Sequence, residues 1–191
     1  MPNKIVCIVG MPGSGKSTVA DEMVNKGFAY LRFGQITLDK IKEEGLEVNE
    51  ANEKRIREDF RKQYGMAAFA VLNIPKIDGL IENSNVVVDG LYSWSEYKIL
   101  KEKYGDSMFV LSVYAPPGLR YERLGGRSVT NDDKQRFRNF TEKEAKARDY
   151  AEIENLEKGG PIAMADFTII NTGTIDELKN DLNKFLSEVL K

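Results

Sequence analysis

The run Lys4-Ile5-Val6-Cys7-Ile8-Val9 is almost unbroken apolar and β-branched, the pattern of a strand buried on both faces of a parallel sheet. Similar runs recur at Phe28 to Phe33, at Val86-Val87-Val88 closing on Asp89-Gly90, at Ser107 to Tyr114 and at Asp166 to Ile170. Between them the spacing turns helical. Ser17 to Lys26 reads as a helix stopped by Gly27, and Ile36 to Ile81 as helix with breaks at Gly45, Gly65 and Pro75. Within that stretch Ile56 and Phe60 share one helical face, Lys54, Arg57 and Arg61 share another, and Met66 to Leu72 is apolar nearly all round, as a core segment would be. Three capping boxes mark later helix starts. Ser93-Trp94-Ser95-Glu96 opens a helix to about Tyr104, with Trp94 as a packing anchor. Thr141-Glu142-Lys143-Glu144 opens one through Lys158, ended by Gly159-Gly160-Pro161. Thr174-Ile175-Asp176-Glu177 opens the last, with Ile175, Leu178, Leu182 and Phe185 or Leu186 facing inward. Pro116-Pro117 begins a further helix. Strands alternating with helices predict an α/β fold with a parallel sheet.

Composition narrows the chemistry. With 191 residues the chain is expected to form a single domain around one core, and its 28 Lys plus Arg against 30 Asp plus Glu give no global field for nucleic acid or an anionic membrane. There is no histidine, and the one cysteine, Cys7, sits inside the first apolar run. That inventory excludes a histidine base, an internal disulfide and a zinc site, and leaves oxygen as the ligand type for any metal. The N-terminal residues lack a signal-peptide pattern and no apolar run is long enough for a bilayer, so the expected location is cytoplasmic, with no membrane or nucleic-acid partner.

Between the first strand and first helix stands Gly10-Met11-Pro12-Gly13-Ser14-Gly15-Lys16-Ser17, followed by Thr18, which fits the phosphate-loop pattern G-x-x-x-x-G-K-[ST] in its proper strand-loop-helix context. Its glycines let several N–H groups point inward, and the helix adds its positive end. Lys16 is a mobile charge for the β- and γ-phosphates of ATP, and Ser17 offers a hydroxyl to Mg²⁺. Asp89, delivered at the carboxyl end of a strand, can hold Mg²⁺ or act as base. Ligands in open α/β sheets bind beyond the carboxyl ends of strands, which puts Arg32, Gln35 and Tyr92 near an acceptor, with Arg57 and Arg61 as a phosphate grip. Arg120, Arg123 and Arg127 on one side, and Arg148 on the other, flank the polar, aperiodic stretch Ser128 to Arg138, the composition of a lid that closes on phosphates. Asn171 and Gly173, in a loop after the last strand, are placed to read a base edge or to form a plain turn.

The order of these motifs resembles the phosphate-loop kinases of small metabolites, the nucleoside monophosphate kinases and especially dephospho-CoA kinase. The resemblance rests on Gly10 to Ser17, Asp89-Gly90, Arg120-Tyr121-Glu122-Arg123-Leu124 and the run Ala165 to Leu178. It extends to archaeal adenylate-kinase-related proteins that carry an Asp-Gly-hydrophobic-Arg-Ser pattern. The resemblance implies a five-stranded sheet of order 2-3-1-4-5 with helices on both faces, a helical acceptor-binding insert at about residues 36–82 and a lid at about residues 126–148. Two departures stand out. Dephospho-CoA kinases usually carry an aspartate just after the second strand, where this chain has Gly34-Gln35, and the archaeal pattern has arginine where this chain has Tyr92.

These readings converge on transfer of the ATP γ-phosphoryl group, with Mg²⁺, to a small nucleotide-like acceptor such as a nucleoside monophosphate or a dephospho-CoA-like molecule. Lys16, Asp89, Arg123, Arg127 and Arg148 are the expected catalytic set, Ser17 and Asp89 the metal ligands. A rival from another class is a nucleotide-binding switch or slow NTPase acting through a protein partner.

Overall fold

The computed structural model describes residues 2–126 and 140–191. Arg127, the stretch Ser128 to Arg138 and most of the expected lid lie outside the described residues.

Five parallel strands form the sheet: β1 (Ile5–Val9), β2 (Ala29–Arg32), β3 (Val86–Asp89), β4 (Met108–Tyr114) and β5 (Phe167–Ile170). Their order is β2-β3-β1-β4-β5, as the kinase resemblance implied. Alternation along β1 divides the core, because successive side chains leave a strand on opposite faces. Val6 and Ile8 pack with Val19, Ala20 and Met23 of α1 (Lys16–Asn25) and with Leu178, Leu182, Phe185 and Leu186 of α9 (Ile175–Val189). Ile5, Cys7 and Val9 pack on the other face, with Phe69 and Ile77 of α4 (Ala68–Ile81) and Tyr97 and Leu100 of α5 (Trp94–Tyr104). Cys7 is wholly buried there, and burial pushes its thiol up, so it is an inert core residue.

The insert after β2 is three helices, α2 (Gln35–Glu43), α3 (Glu50–Tyr64) and α4. Gly45 and Gly65 stop two of them, both at positive φ. Pro75 does not stop the third. It lies inside α4, a position that costs a helix about 3 kcal/mol, and the helix runs through because it is clamped on both sides of the proline. Asn73 donates to the carbonyls of Phe33 and Phe69 at 3.2 and 2.8 Å, and Ile77 is fully buried.

All three expected capping boxes form, at Ser93, Thr141 and Thr174. Two details differ from the sequence pattern. Ile175 is exposed, because it occupies the first position of α9, where the chain still faces outward, and the inward stripe begins at Leu178. After α6 (Pro117–Gly125), helix α7 (Glu142–Leu156) ends before Lys158, and Gly159-Gly160-Pro161, expected to end that helix, instead opens a short one of its own, α8 (Gly159–Ala163). Proline in a first turn loses no hydrogen bond that the helix needs. Among the described residues no helix is long and apolar enough to cross a membrane.

Candidate functional site

β1 lies between β3 and β4, so the connections after β1 and β3 leave in opposite directions, and their diverging ends open a crevice at the carboxyl edge of the sheet. The loop from Gly10 to Gly15 fills that crevice. Gly13 and Gly15 have φ of 81° and 105°, conformations that L side chains rarely adopt, and each is pressed against a neighbour. A Cβ on Gly13 would come within 2.6 Å of the Arg120 carbonyl oxygen, and one on Gly15 within 2.2 Å of Asn171 Nδ2.

Two side chains, Asn171 and Arg120, tie the loop down. The Asn171 amide donates to the Ser14 carbonyl at 2.8 Å. Arg120, buried in α6, donates to the carbonyls of Pro12 and Ala115 at 3.0 Å, and forks onto Asp149 of α7 with bonds of 2.9 and 2.6 Å. Tyr121 adds a hydroxyl bond to Asp149 at 3.0 Å. The Asn171 amide nitrogen is therefore engaged on the loop, and the exposed Thr172 and the backbone of the Asn171–Gly173 segment are what remain to read a base edge.

What the loop encloses fits a phosphate. Gly15 is the N-cap of α1 and no side chain caps that helix; the Thr18 amide turns to the Gly15 carbonyl at 3.1 Å, and the amides of Lys16 and Ser17 ahead of it are the donors placed for an anion. Buried Ser14 Oγ has no hydrogen-bond partner among the described residues. Lys16 folds back to donate to the Met11 carbonyl at 3.0 Å. Burial pushes its ammonium down to about 7, and nearby Lys158 adds to the depression while Asp89 and Glu152 oppose it. Arriving phosphates would reverse that shift. Ser17 and Thr18 are half-buried in the first turn of α1.

Asp89 is level with Ile8 on β1 and with Arg32 on β2, which places its carboxylate just before the loop. It accepts a hydrogen bond from the Tyr30 hydroxyl at 3.0 Å. Ser17 and Asp89 are oxygen donors of the kind Mg²⁺ prefers, and an ion held by so few protein groups completes its shell with phosphate and water. That donor set fits the metal. Among the described residues no cluster of three or more metal-ligating side chains offers a rival site.

The other expected residues divide. Arg123 lies one turn beyond Arg120 and leaves its buried Nη1 without a partner among the described residues. Arg148 reaches in from α7 to donate through Nε to Glu152 at 2.9 Å, although its side chain stays 41% exposed. Tyr92 lies near both Asp89 and Glu152, and burial, with those two carboxylates, pushes its phenol up so that it is neutral. The basic row on α3 is broken up. Arg57 pairs with Glu50 and Glu53 at 2.8 and 3.1 Å, since the acidic first turn of the helix lies within its reach. Arg61 instead turns inward over the Phe69 ring, 5.4 Å from its centre, with buried Nε unpartnered. Gln35 is at the surface, bonded to Asp39 at 3.0 Å.

Glu96 explains why Tyr92 is held so firmly. Its carboxylate accepts from the backbone N–H groups of Tyr92 and Ser93 at 2.9 and 3.0 Å. Burial pushes it up to about 7, even though those two bonds and Arg61 favour its charged form.

The sequence pattern missed Glu152 and Lys158. Lys158 is buried, ion-paired to Glu152, and stands over the Tyr92 ring at 4.4 Å. A lysine just past a helix end looks like ordinary surface, and no spacing rule would have found it. The roles of Arg120 and Asp149 as a buried tie were likewise hidden, although Arg120 stood out among the arginines that flank the expected lid.

Comparison with known proteins agrees with this geometry. A family model described as an AAA domain matches residues 6–166. A UPF0200 protein of Thermococcus kodakarensis is 33% identical over 188 residues, covering 97% of this chain and 98% of that one. Among solved structures, a shikimate kinase from Bacteroides thetaiotaomicron superposes with a TM-score of 0.59 at 12% identity, covering 98% of this chain and 99% of that chain. A gluconokinase from Sinorhizobium meliloti gives 0.56 at 16% identity, covering 99% and 96%. At such identities the two kinases speak for the fold, which is that of phosphate-loop kinases. The chain belongs to the UPF0200 family, within the AAA-domain phosphate-loop proteins.

Proposed function

We propose that this protein transfers the γ-phosphoryl group of ATP, with Mg²⁺, to a small anionic, nucleotide-like acceptor. The observation that carries this reading is the uncapped N-terminus of α1 beneath a glycine loop, with the Lys16 amine folded beside it and Asp89 on the adjoining strand. Phosphoryl transfer needs positioning and charge neutralisation more than covalent help from the protein. In this reading the α1 amides and Lys16 hold the β- and γ-phosphates. Ser17 and Asp89 would hold Mg²⁺, which would supply neutralising charge to the phosphate oxygens. An acceptor oxygen bonds to the γ-phosphorus as the bond to ADP breaks, and an acceptor hydroxyl gives its proton to the Asp89 carboxylate. Arg123, with its unpartnered nitrogen, and Arg148 steady the group in transit, and Arg127 is assigned to the same task. Arg32, Arg61 and Tyr92 line the acceptor side.

One observation favours the switch reading: no acid ends β2, and Gln35 is bonded away at the surface. ADP release measured with MgATP across nucleoside monophosphates, dephospho-CoA and related phosphorylated acceptors separates the two. We expect one acceptor to raise turnover far above the rate with water. Uniform indifference to every acceptor would sink the kinase reading.

A further inference from the structure

Lys158 has no part in the reaction described above, yet it is built into the site. Its side chain is 1% exposed, a degree of burial that lysine almost never reaches unless paired. Its partner Glu152 is nearly as buried and also takes the Nε–H of Arg148, so one carboxylate holds two cations. Those cations hold Glu152 low, against the burial that would raise it.

The backbone is bent to achieve this. Glu157 has φ of 53°, the one non-glycine residue at positive φ among the described residues, and the Lys158 amide turns back to the Glu152 carbonyl. A Cβ on Gly160 would meet Trp94 Cε3 at 2.9 Å, so the turn that carries Lys158 is pressed onto the start of α5, two residues past Tyr92. A buried ion pair gives little net stability over an apolar replacement, and strained backbone persists where something else is served by it. The arrangement brings a second ammonium over Tyr92, within electrostatic reach of both Lys16 and Asp89.

We propose that Lys158 is a second phosphate-engaging lysine: in the empty protein Glu152 holds it and Arg148, and with both substrates bound these cations turn onto the phosphoryl group in transit. The inference rests on the phosphotransferase reading. A metaphosphate-like group spreads charge over three equatorial oxygens, and Lys158 would add a second ammonium to Lys16 and the arginines already assigned to it.

The test compares the intact protein with Lys158→Met, Lys158→Arg and the double variant Lys158→Met/Glu152→Gln. It measures MgADP affinity by calorimetry and kcat and KM for MgATP, with the stimulating acceptor or with water. We expect Lys158→Met to lose about a hundredfold in kcat, as when one preorganised charge is removed, with MgADP affinity within about twofold and part of the rate recovered in Lys158→Arg. The double variant removes the unpaired buried carboxylate, so it folds even if the single variant does not, and it should be as slow as Lys158→Met. A double variant restored to near-normal turnover would show that the pair only supports the fold and would overturn the proposal. If the intact protein binds no MgADP or turns over no ATP, the phosphotransferase reading itself falls. If it does both while the folded Lys158 variants are equally fast, only this proposal falls.

Discussion

Around the phosphate loop the chain is held by backbone. Glycines take up turns closed to other residues, and Asn171 and Arg120 fasten loop carbonyls from the far side of the sheet. Around Tyr92, across the same crevice, the chain is held by ionisable side chains: Glu96, four residues on, takes its backbone N–H, and Glu152, Arg148 and Lys158 of the α7–α8 segment pair with one another beside its ring. On the proposed function the contrast has a reason: a phosphate of fixed shape would be met by fixed N–H donors, and the group that must be received and released by long side chains able to exchange one partner for another.

The largest effect should come from the charge on the fixed side. Lys16→Ala should lower turnover at least about a thousandfold, the upper range for loss of a preorganised charge, while thermal unfolding stays near that of the parent protein. A folded variant with near-normal turnover would remove the distinction between the two sides. Next is the tie that joins them. Arg120→Ala leaves Asp149 buried and unpaired, and should cost about 3–5 kcal/mol in denaturant unfolding, whereas Arg148→Ala, at an exposed position, should leave stability almost unchanged and reduce kcat instead. Equal losses of stability in both would mean that α7 is merely packing.

Asp89→Asn sharpens the comparison further. It should slow turnover by roughly a hundredfold with MgADP affinity changed much less, since an amide neither accepts the proton nor matches the metal's charge. A parallel fall in both would make Asp89 structural.

The smallest effect is a proton count. In the empty protein burial pushes Lys16 down to about 7, and phosphates bound beside it, as proposed, would restore its charge. At pH 8, therefore, MgADP binding should take up a large fraction of a proton, and that uptake should fade as pH drops below 7, where Lys16 is charged in both states. Calorimetry in buffers of different ionisation enthalpy reads this directly, and Lys16→Met should abolish it. The same shift makes the empty protein gain stability as pH rises from about 7 towards the ordinary lysine value, because the unfolded chain then binds the extra proton.

The fixed side was legible in the sequence because its physics is local. A glycine loop between an apolar run and a helix leaves a contiguous pattern, as do three capping boxes and the β-branched run that ends at Asp89. The strand order followed from resemblance, not from periodicity. The receiving side was legible only in fragments. Tyr92 and Arg148 could be singled out, but the carboxylate that joins Arg148 to Lys158 depends on a left-handed turn at Glu157 that no glycine announces. The partners of the basic row of α3 were hidden for a related reason: helical spacing places Arg57 and Arg61 on one face, but it does not show that Glu50 and Glu53 pair with the first while the second turns over the Phe69 ring.

The most direct test follows the phosphorus. With γ-labelled ATP, Mg²⁺ and the acceptor that stimulates ADP release, label should appear on the acceptor in step with ADP. Release of all the label as inorganic phosphate, at a rate no acceptor changes, would contradict it.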